Sequence, residues 1–151
     1  MRTTTSSDPD VAMRSPSSLA MAAAKEAIVR RMIDALERAD LATIGELVSD
    51  DVVYHFPGRS AVAGTYRGRA EVLGLFPAFR ELLDGLPRMS SHDVLASEAH
   101  VVELTTLAAE RDGQPHEWHA VRIYHVGDAE ITEIWLMIDD IHAFDAWLGA
   151  G

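Results

Sequence analysis

Five side chains in this chain are suited to moving a proton or holding a developing negative charge in apolar surroundings: Asp139, Arg122, Tyr54, Glu103 and His55. Asp139 ends the most apolar run of the sequence, Glu130-Ile-Thr-Glu-Ile-Trp-Leu-Met-Ile-Asp-Asp140. A carboxylate there is either a general acid or base whose pKa is raised by an apolar lining, or the cap of the helix that follows. Arg122 stands between Val121 and Ile123, with Trp118 and Tyr124 at its own parity. It either lines a pocket and holds an anionic or carbonyl group, or carries its charge to the surface on its aliphatic stem. Glu103 shares parity with Thr105 and Leu107 one strand away and can pair with Arg122; a buried pair of this kind is structural as often as catalytic.

His55 and His119 fall opposite Tyr54 and Trp118 in strand parity. Their plainer reading is a hydrogen-bonded histidine under helices or at a dimer face, which a β-bulge would reverse. His116-Glu-Trp-His119 is not a zinc motif, because three-residue spacing on a strand sends the two rings to opposite faces. The chain has no cysteine, no ligand-spaced Cys/His set and no glycine-rich phosphate loop, so neither a metal nor an organic cofactor is expected. Tyr54, Phe56, Trp118, Tyr124 and Trp135 share the expected pocket-facing parity. They are core alone, or the lining for a flat or polycyclic apolar ligand.

The elements that must position these groups follow from periodicity. Ile28, Val29, Met32, Ile33 and Leu36 make one apolar helical stripe after a cap at Ser17 or Ser18, and Asp40 caps a shorter helix with Leu41, Ile44, Leu47 and Val48. Asp51–Phe56 is a strand stopped by Pro57-Gly58. Residues 57–68 form a long loop of the kind that carries function. A third helix carries Val72, Leu73, Phe76, Phe79 and Leu83, and Pro77 is expected to kink or break it. Four strands follow, Arg88–Leu95, His100–Glu110, Pro115–Val126 and Glu130–Asp139. Asp112-Gly113 between two of them is a strong hairpin signal. Asp140–Leu148 closes the chain as a short helix with Ile141, Phe144, Trp147 and Leu148 inward. The fold class is α+β, with a curved, mostly antiparallel sheet wrapped around the helices into a cone that is open at one end.

Composition bounds the alternatives. A chain of 151 residues makes one domain with a core large enough to need no staple. Residues 1–18, rich in Ser, Thr, Pro and Asp, read as a disordered tail, and 19–149 as the single folded domain. A net charge of −11 argues against nucleic acid and anionic membranes as partners. No run approaches the roughly 20 apolar residues of a membrane span. Leu19–Ala24 is too short for a secretory h-region, so the expected location is cytoplasmic. Val121, Ile123, Ile134, Leu136 and Ile138 make a second apolar sheet face, for which a homodimer packed sheet to sheet is the expected partner.

Asp50-Asp51-Val-Val-Tyr-His-Phe-Pro-Gly58, Gly64-Thr-Tyr-Arg-Gly68 and Asp128-Ala-Glu-Ile-Thr-Glu-Ile-Trp135 with Asp139 resemble the SnoaL-like branch of the nuclear-transport-factor-2-like superfamily, which includes ketosteroid isomerases and limonene epoxide hydrolases. The likeness spans about Lys25 to Leu148 and implies the cone fold. The position of the isomerase base is Phe56, which cannot move a proton, and that of its oxyanion-hole aspartate lies near Arg122. Tyr54 matches the hydrolase tyrosine, while the hydrolase Arg-Asp pair falls near Glu103 and Thr105, so that triad is not intact. Asp139, four residues after Trp135, matches the cyclase aspartate. The resemblance thus implies cofactor-independent acid–base chemistry of the cyclase, isomerase, dehydratase or epoxide-hydrolase type on a small apolar ligand. The alternative is a non-catalytic binding or dimerisation domain of the same fold. Asp139 discriminates the two: inside a closed apolar cavity it favours the enzyme, facing water it favours the binder.

Overall fold

The computed structural model describes residues 16–149 of the chain. Its elements, in order, are α1 (Pro16–Glu37), α2 (Leu41–Leu47), β1 (Val48–Phe56), β2 (Gly64–Arg67), α3 (Arg69–Leu73), α4 (Leu75–Leu82), β3 (Arg88–Ala96), β4 (Val101–Arg111), β5 (Gln114–Val126), β6 (Ile131–Ile138) and α5 (Ile141–Trp147). The strands form one curled sheet in the order β2-β1-β6-β5-β4-β3. β1 and β6 run parallel and every other neighbouring pair antiparallel. This is the α+β cone expected from the order of elements.

Several local expectations hold for visible reasons. Asp40 caps α2, accepting the Thr43 N–H at 3.2 Å and the Thr43 hydroxyl at 2.7 Å, and these bonds hold its carboxyl below the ordinary carboxylate pKa. Asp112 (φ 53°) and Gly113 (φ 74°) both adopt the left-handed conformation that a tight two-residue hairpin requires.

Others are corrected. α1 begins at Pro16, so Ser17 and Ser18 lie in its first turn rather than at its cap or in a tail; a proline suits that position, where its missing N–H has no helical partner. The rest of the expected tail lies outside the described residues. The loop after β1 is interrupted by β2, which pairs Thr65 with His55 and Tyr66 with Tyr54. The third helix breaks at Gly74, three residues before Pro77. Pro77 falls in the first turn of α4, where it costs no hydrogen bond.

The sheet has two faces, and its register assigns them. Arg122 stands directly across from Glu103 on β4 and Leu136 on β6, and Tyr124 across from Val101 and Ile134. Paired residues share a face, so Ile134, Leu136 and Ile138 are inward, packed with the helices. Trp135 pairs with Ile123, and Met137 with Val121; these four form the outward face. The expected dimer surface therefore mixed the two faces: Val121 and Ile123 belong to the outer one, but Ile134, Leu136 and Ile138 do not. Val29, Met32, Ile44, Val52, Tyr124 and Ile131 belong to one cluster of buried side chains, and Phe56, Leu75, Trp118, Leu136 and Phe144 to a second.

The segment after β1 is pinned from α5. The buried Asp145 carboxylate accepts the N–H groups of Arg59 (2.9 Å) and Ser60 (3.2 Å). Gly58, at φ 94°, lies so close that a Cβ there would overlap this carboxylate.

Candidate functional site

The open end of the cone encloses a cavity of about 250 Å³. β1 contributes Tyr54 and Phe56 to its wall, and β5 contributes Trp118, Arg122 and Tyr124. Aromatic side chains from the helices complete it. Phe79 lies 5.6 Å from Phe56 between ring centres, and Phe144 and Trp147 lie 5.0 and 4.7 Å from Trp118. Tilted and edge-on contacts of this kind are the favoured geometry for aromatic pairs.

One polar cluster interrupts the apolar wall. Arg122 is 3% exposed and Glu103 1% exposed. The Arg122 Nη1 group donates to both Glu103 oxygens, at 3.2 and 3.1 Å, and the Tyr124 hydroxyl donates to Oε2 at 2.7 Å. The Glu103 carboxylate is thus met by donors on both oxygens. Arg122 is not equally satisfied: its Nη2 group donates to the Met89 thioether at 2.9 Å, a weak acceptor, and its buried Nε–H has no partner.

Burial by itself disfavours the Arg122 charge, but the Glu103 carboxylate, with Tyr124 and Tyr54 beside it, outweighs burial and lifts the guanidinium well above its ordinary pKa. Burial likewise raises the Tyr124 phenol well above its ordinary value, with Arg122 opposing and Glu103 reinforcing the rise. The surroundings thus favour the charged form of the arginine and the neutral form of the Tyr124 phenol.

The residues singled out by sequence separate into three groups. Tyr54, Phe56, Trp118, Arg122 and Tyr124 all line the cavity. Glu103 and Thr105 are buried on the same sheet face, each 1% exposed, but are not among the lining residues. Trp135, His55 and Asp139 are elsewhere. His55 stacks on Trp135 at 5.6 Å and bonds Glu133 at 2.6 Å through Nε2, in an open groove on the outer face that also takes in His100. Asp139 is exposed, and its carboxylate accepts the His119 N–H at 2.9 Å. The cap of α5 is its neighbour Asp140, at φ 45°, accepting the Ala143 N–H at 3.3 Å. Asp139 is thus outside the cavity lining and is not the cap. β6 is apolar on both sides, so alternation alone could not show which parity of this strand faces inward.

Met89, Phe79, Phe144 and Trp147 were not anticipated as site residues. The last three carried a signal, as inward positions of helical stripes, but only the curl of the sheet turns them from core into cavity wall. Met89 carried none. His116 stacks on Trp118 at 4.9 Å while His119 points to the other face. Among the described residues no three His, Cys, Asp or Glu side chains are grouped to hold a metal ion. No helix there is long and apolar enough to cross a membrane.

Comparison with known proteins identifies the family and the fold. Residues 29–134 match the family model of the SnoaL-like domain. An uncharacterized protein of Mycobacterium tuberculosis, Rv0034, is 29% identical over 108 residues, covering 71% of this chain and 82% of that one. Bal32a, from a soil-derived mobile gene cassette, superposes with a TM-score of 0.80 at 24% identity, over 85% of this chain and 98% of that chain. An epoxide hydrolase of M. tuberculosis, described as LEH-like, superposes with a TM-score of 0.62 at 21% identity, over 86% and 88% of the two chains. The two structural likenesses show the fold; the match over residues 29–134 shows the family, and the chain is a member of the SnoaL-like family with the NTF2-like cone fold.

Proposed function

We propose that this protein binds a small, largely apolar molecule in the cone and holds one of its oxygen atoms against Arg122. The observation that carries this reading is the unpartnered, buried Nε–H of a charged arginine in the wall of an otherwise apolar cavity. A buried donor without an acceptor is costly, and a ligand oxygen is the group that would satisfy it. The volume, about 250 Å³, lies just below the usual range for ligand sites, so a one- or two-ring skeleton fits better than a larger polycycle.

A catalytic reading has one observation in its favour. Tyr54 comes from β1 and Arg122 from β5, and both reach the same cavity close enough for Tyr54 to influence the Arg122 charge. A phenol and a guanidinium converging on one oxygen are the electrostatic half of cyclisation, isomerisation, dehydration or epoxide opening without a cofactor. In that reading Tyr54 is the group able to exchange a proton with the ligand.

The test is a titration with 2-acetylnaphthalene, followed by tryptophan fluorescence, since Trp118 and Trp147 line the cavity. Saturable quenching is expected in the wild type. It should be lost in Leu107→Phe, which fills cavity space. Quenching that survives this substitution unchanged would place the ligand elsewhere and end the reading.

A further inference from the structure

We infer that Glu103 sets the class of ligand this cavity accepts, restricting its inner end to a neutral oxygen acceptor such as a ketone, ester, epoxide or alcohol and excluding a carboxylate or other anion. This inference rests on the pocket reading above and decides what that reading leaves open, since an arginine in a pocket wall ordinarily suits an anion best.

The reasoning starts from charge. The guanidinium of Arg122 is already matched one to one by Glu103, 3.1 Å away and equally buried. Tyr124 adds a third bond to that carboxylate, so Glu103 is held in place and cannot swing aside for a competitor. An incoming carboxylate would give up its hydration on entering apolar surroundings. In return it would meet a cation whose field is largely cancelled by the anion behind it. A neutral acceptor faces neither difficulty. It needs one hydrogen bond, and the Nε–H that Glu103 does not use is available for it. The other acceptors beside the guanidinium are the Tyr54 hydroxyl and the Met89 thioether, both in the cavity wall, and the thioether is weak enough to be displaced.

The other charged residues of the wall do not alter this balance. Arg88, exposed at the start of β3, and Glu37 both line the cavity, and neither forms an ion pair among the described residues, so one offsets the other. Glu103 thus acts as a specificity-determining residue through Arg122, without touching the ligand itself.

Three probes of one shape and size separate the possibilities: 2-acetylnaphthalene, 2-naphthoate and 2-isopropenylnaphthalene, titrated at pH 7 against the full chain. In the wild type the ketone is expected to bind at least tenfold more tightly than either of the others. The margin over the hydrocarbon reports the hydrogen bond, and the margin over the carboxylate reports the cancelled charge. Glu103→Gln leaves Arg122 unmatched, and there naphthoate is expected to gain at least tenfold relative to the ketone. Glu103→Asp keeps the charge and should keep the wild-type order. The wild-type ranking needs no variant, so it decides the matter even where Glu103→Gln fails to fold. Naphthoate binding as tightly as the ketone in the wild type would overturn the inference, as would a ketone-to-naphthoate ratio in folded Glu103→Gln equal to that of the wild type. Failure of all three probes to bind would overturn the pocket reading, and this inference with it. Equal binding of all three would leave the pocket standing and overturn only the role of Glu103.

Discussion

Arg122 and Glu103 face each other directly across β5 and β4, joined at 3.1 Å, with almost no access to water. Removing one member of such a pair leaves an unpaired buried charge, which typically costs about 3–5 kcal/mol. Arg122→Met and Glu103→Leu are each expected to lose stability on that scale. The double substitution should recover most of it, because the two changes share a partner. Urea denaturation of the four proteins tests this, and losses that simply add would contradict it. The double variant should nevertheless fail to bind the ketone probe, separating the pair's role in the ligand site from its role in folding.

Tyr124 gives a pH signature. Its folded-state pKa is raised by burial, so its contribution is fully present below the ordinary phenol value of about 10 and is lost as pH rises through the folded value. Wild-type stability should therefore be insensitive to Tyr124 ionisation from pH 7 to 9 and fall above about pH 10. Tyr124→Phe removes a donor from the Glu103 carboxylate, and about 1–3 kcal/mol of destabilisation is expected at pH 7. That gap should narrow above pH 10. Melting temperatures of both proteins across pH 7–11 measure it, and a gap that widens with pH would be the wrong sign.

Asp139 and Tyr54 are expected to behave in opposite ways. Asp139 is exposed and bonded to the His119 backbone, so Asp139→Asn should leave ketone affinity within about twofold, inside the scatter of ordinary surface changes. Tyr54→Phe removes a hydroxyl beside Arg122. If turnover of a ketone, epoxide or ester is found, it should fall by roughly 10²–10⁴-fold in Tyr54→Phe, the usual range for loss of a general acid or base, and stay near wild type in Asp139→Asn. The reverse ranking in a steady-state assay would return Asp139 to the reaction.

The anchor between α5 and the segment after β1 should be a stability element. Asp145→Ala strands two backbone N–H groups, of Arg59 and Ser60, for an expected loss of about 2 kcal/mol. Gly58→Ala combines a left-handed backbone with overlap on the same carboxylate and should cost at least as much. Thermal melts check both, and a change below about 1 °C in either would show that the segment is held by other contacts.

The outer sheet face is expected to pair two copies of the chain. Leu104 and Met137 are exposed there, at 37% and 46%, beside Val121, Ile123 and Trp135. Met137→Glu places a charge in the middle of that patch and should convert a dimer to a monomer at micromolar concentration. Light scattering on the wild type, returning a mass of 16.5 kDa rather than twice that value, would rule the dimer out.

The sequence by itself determined the elements and their order. Helical stripes such as Val29-Met32-Ile33-Leu36, the Asp40 cap and the Asp112-Gly113 turn are local signals, set by periodicity and by backbone preferences that act within a few residues. It also gave the inward parity of β1 and β5, because Tyr54 and Phe56 alternate with His55, and Trp118, Arg122 and Tyr124 with more polar or smaller neighbours. On β6 it gave no such answer. Ile134 and Leu136 are as apolar as Trp135 and Met137, and one position of parity decides whether Trp135 and Asp139 belong to the cavity or to the outside. Only the register with β5 settles that, through the pairing of Ile134 with Tyr124 and Leu136 with Arg122. The state of Arg122 was also beyond the sequence. Its pairing with Glu103, the third bond from Tyr124 and the Nε–H left over depend on three side chains from two strands meeting in one dry place. No spacing along the chain records such a meeting.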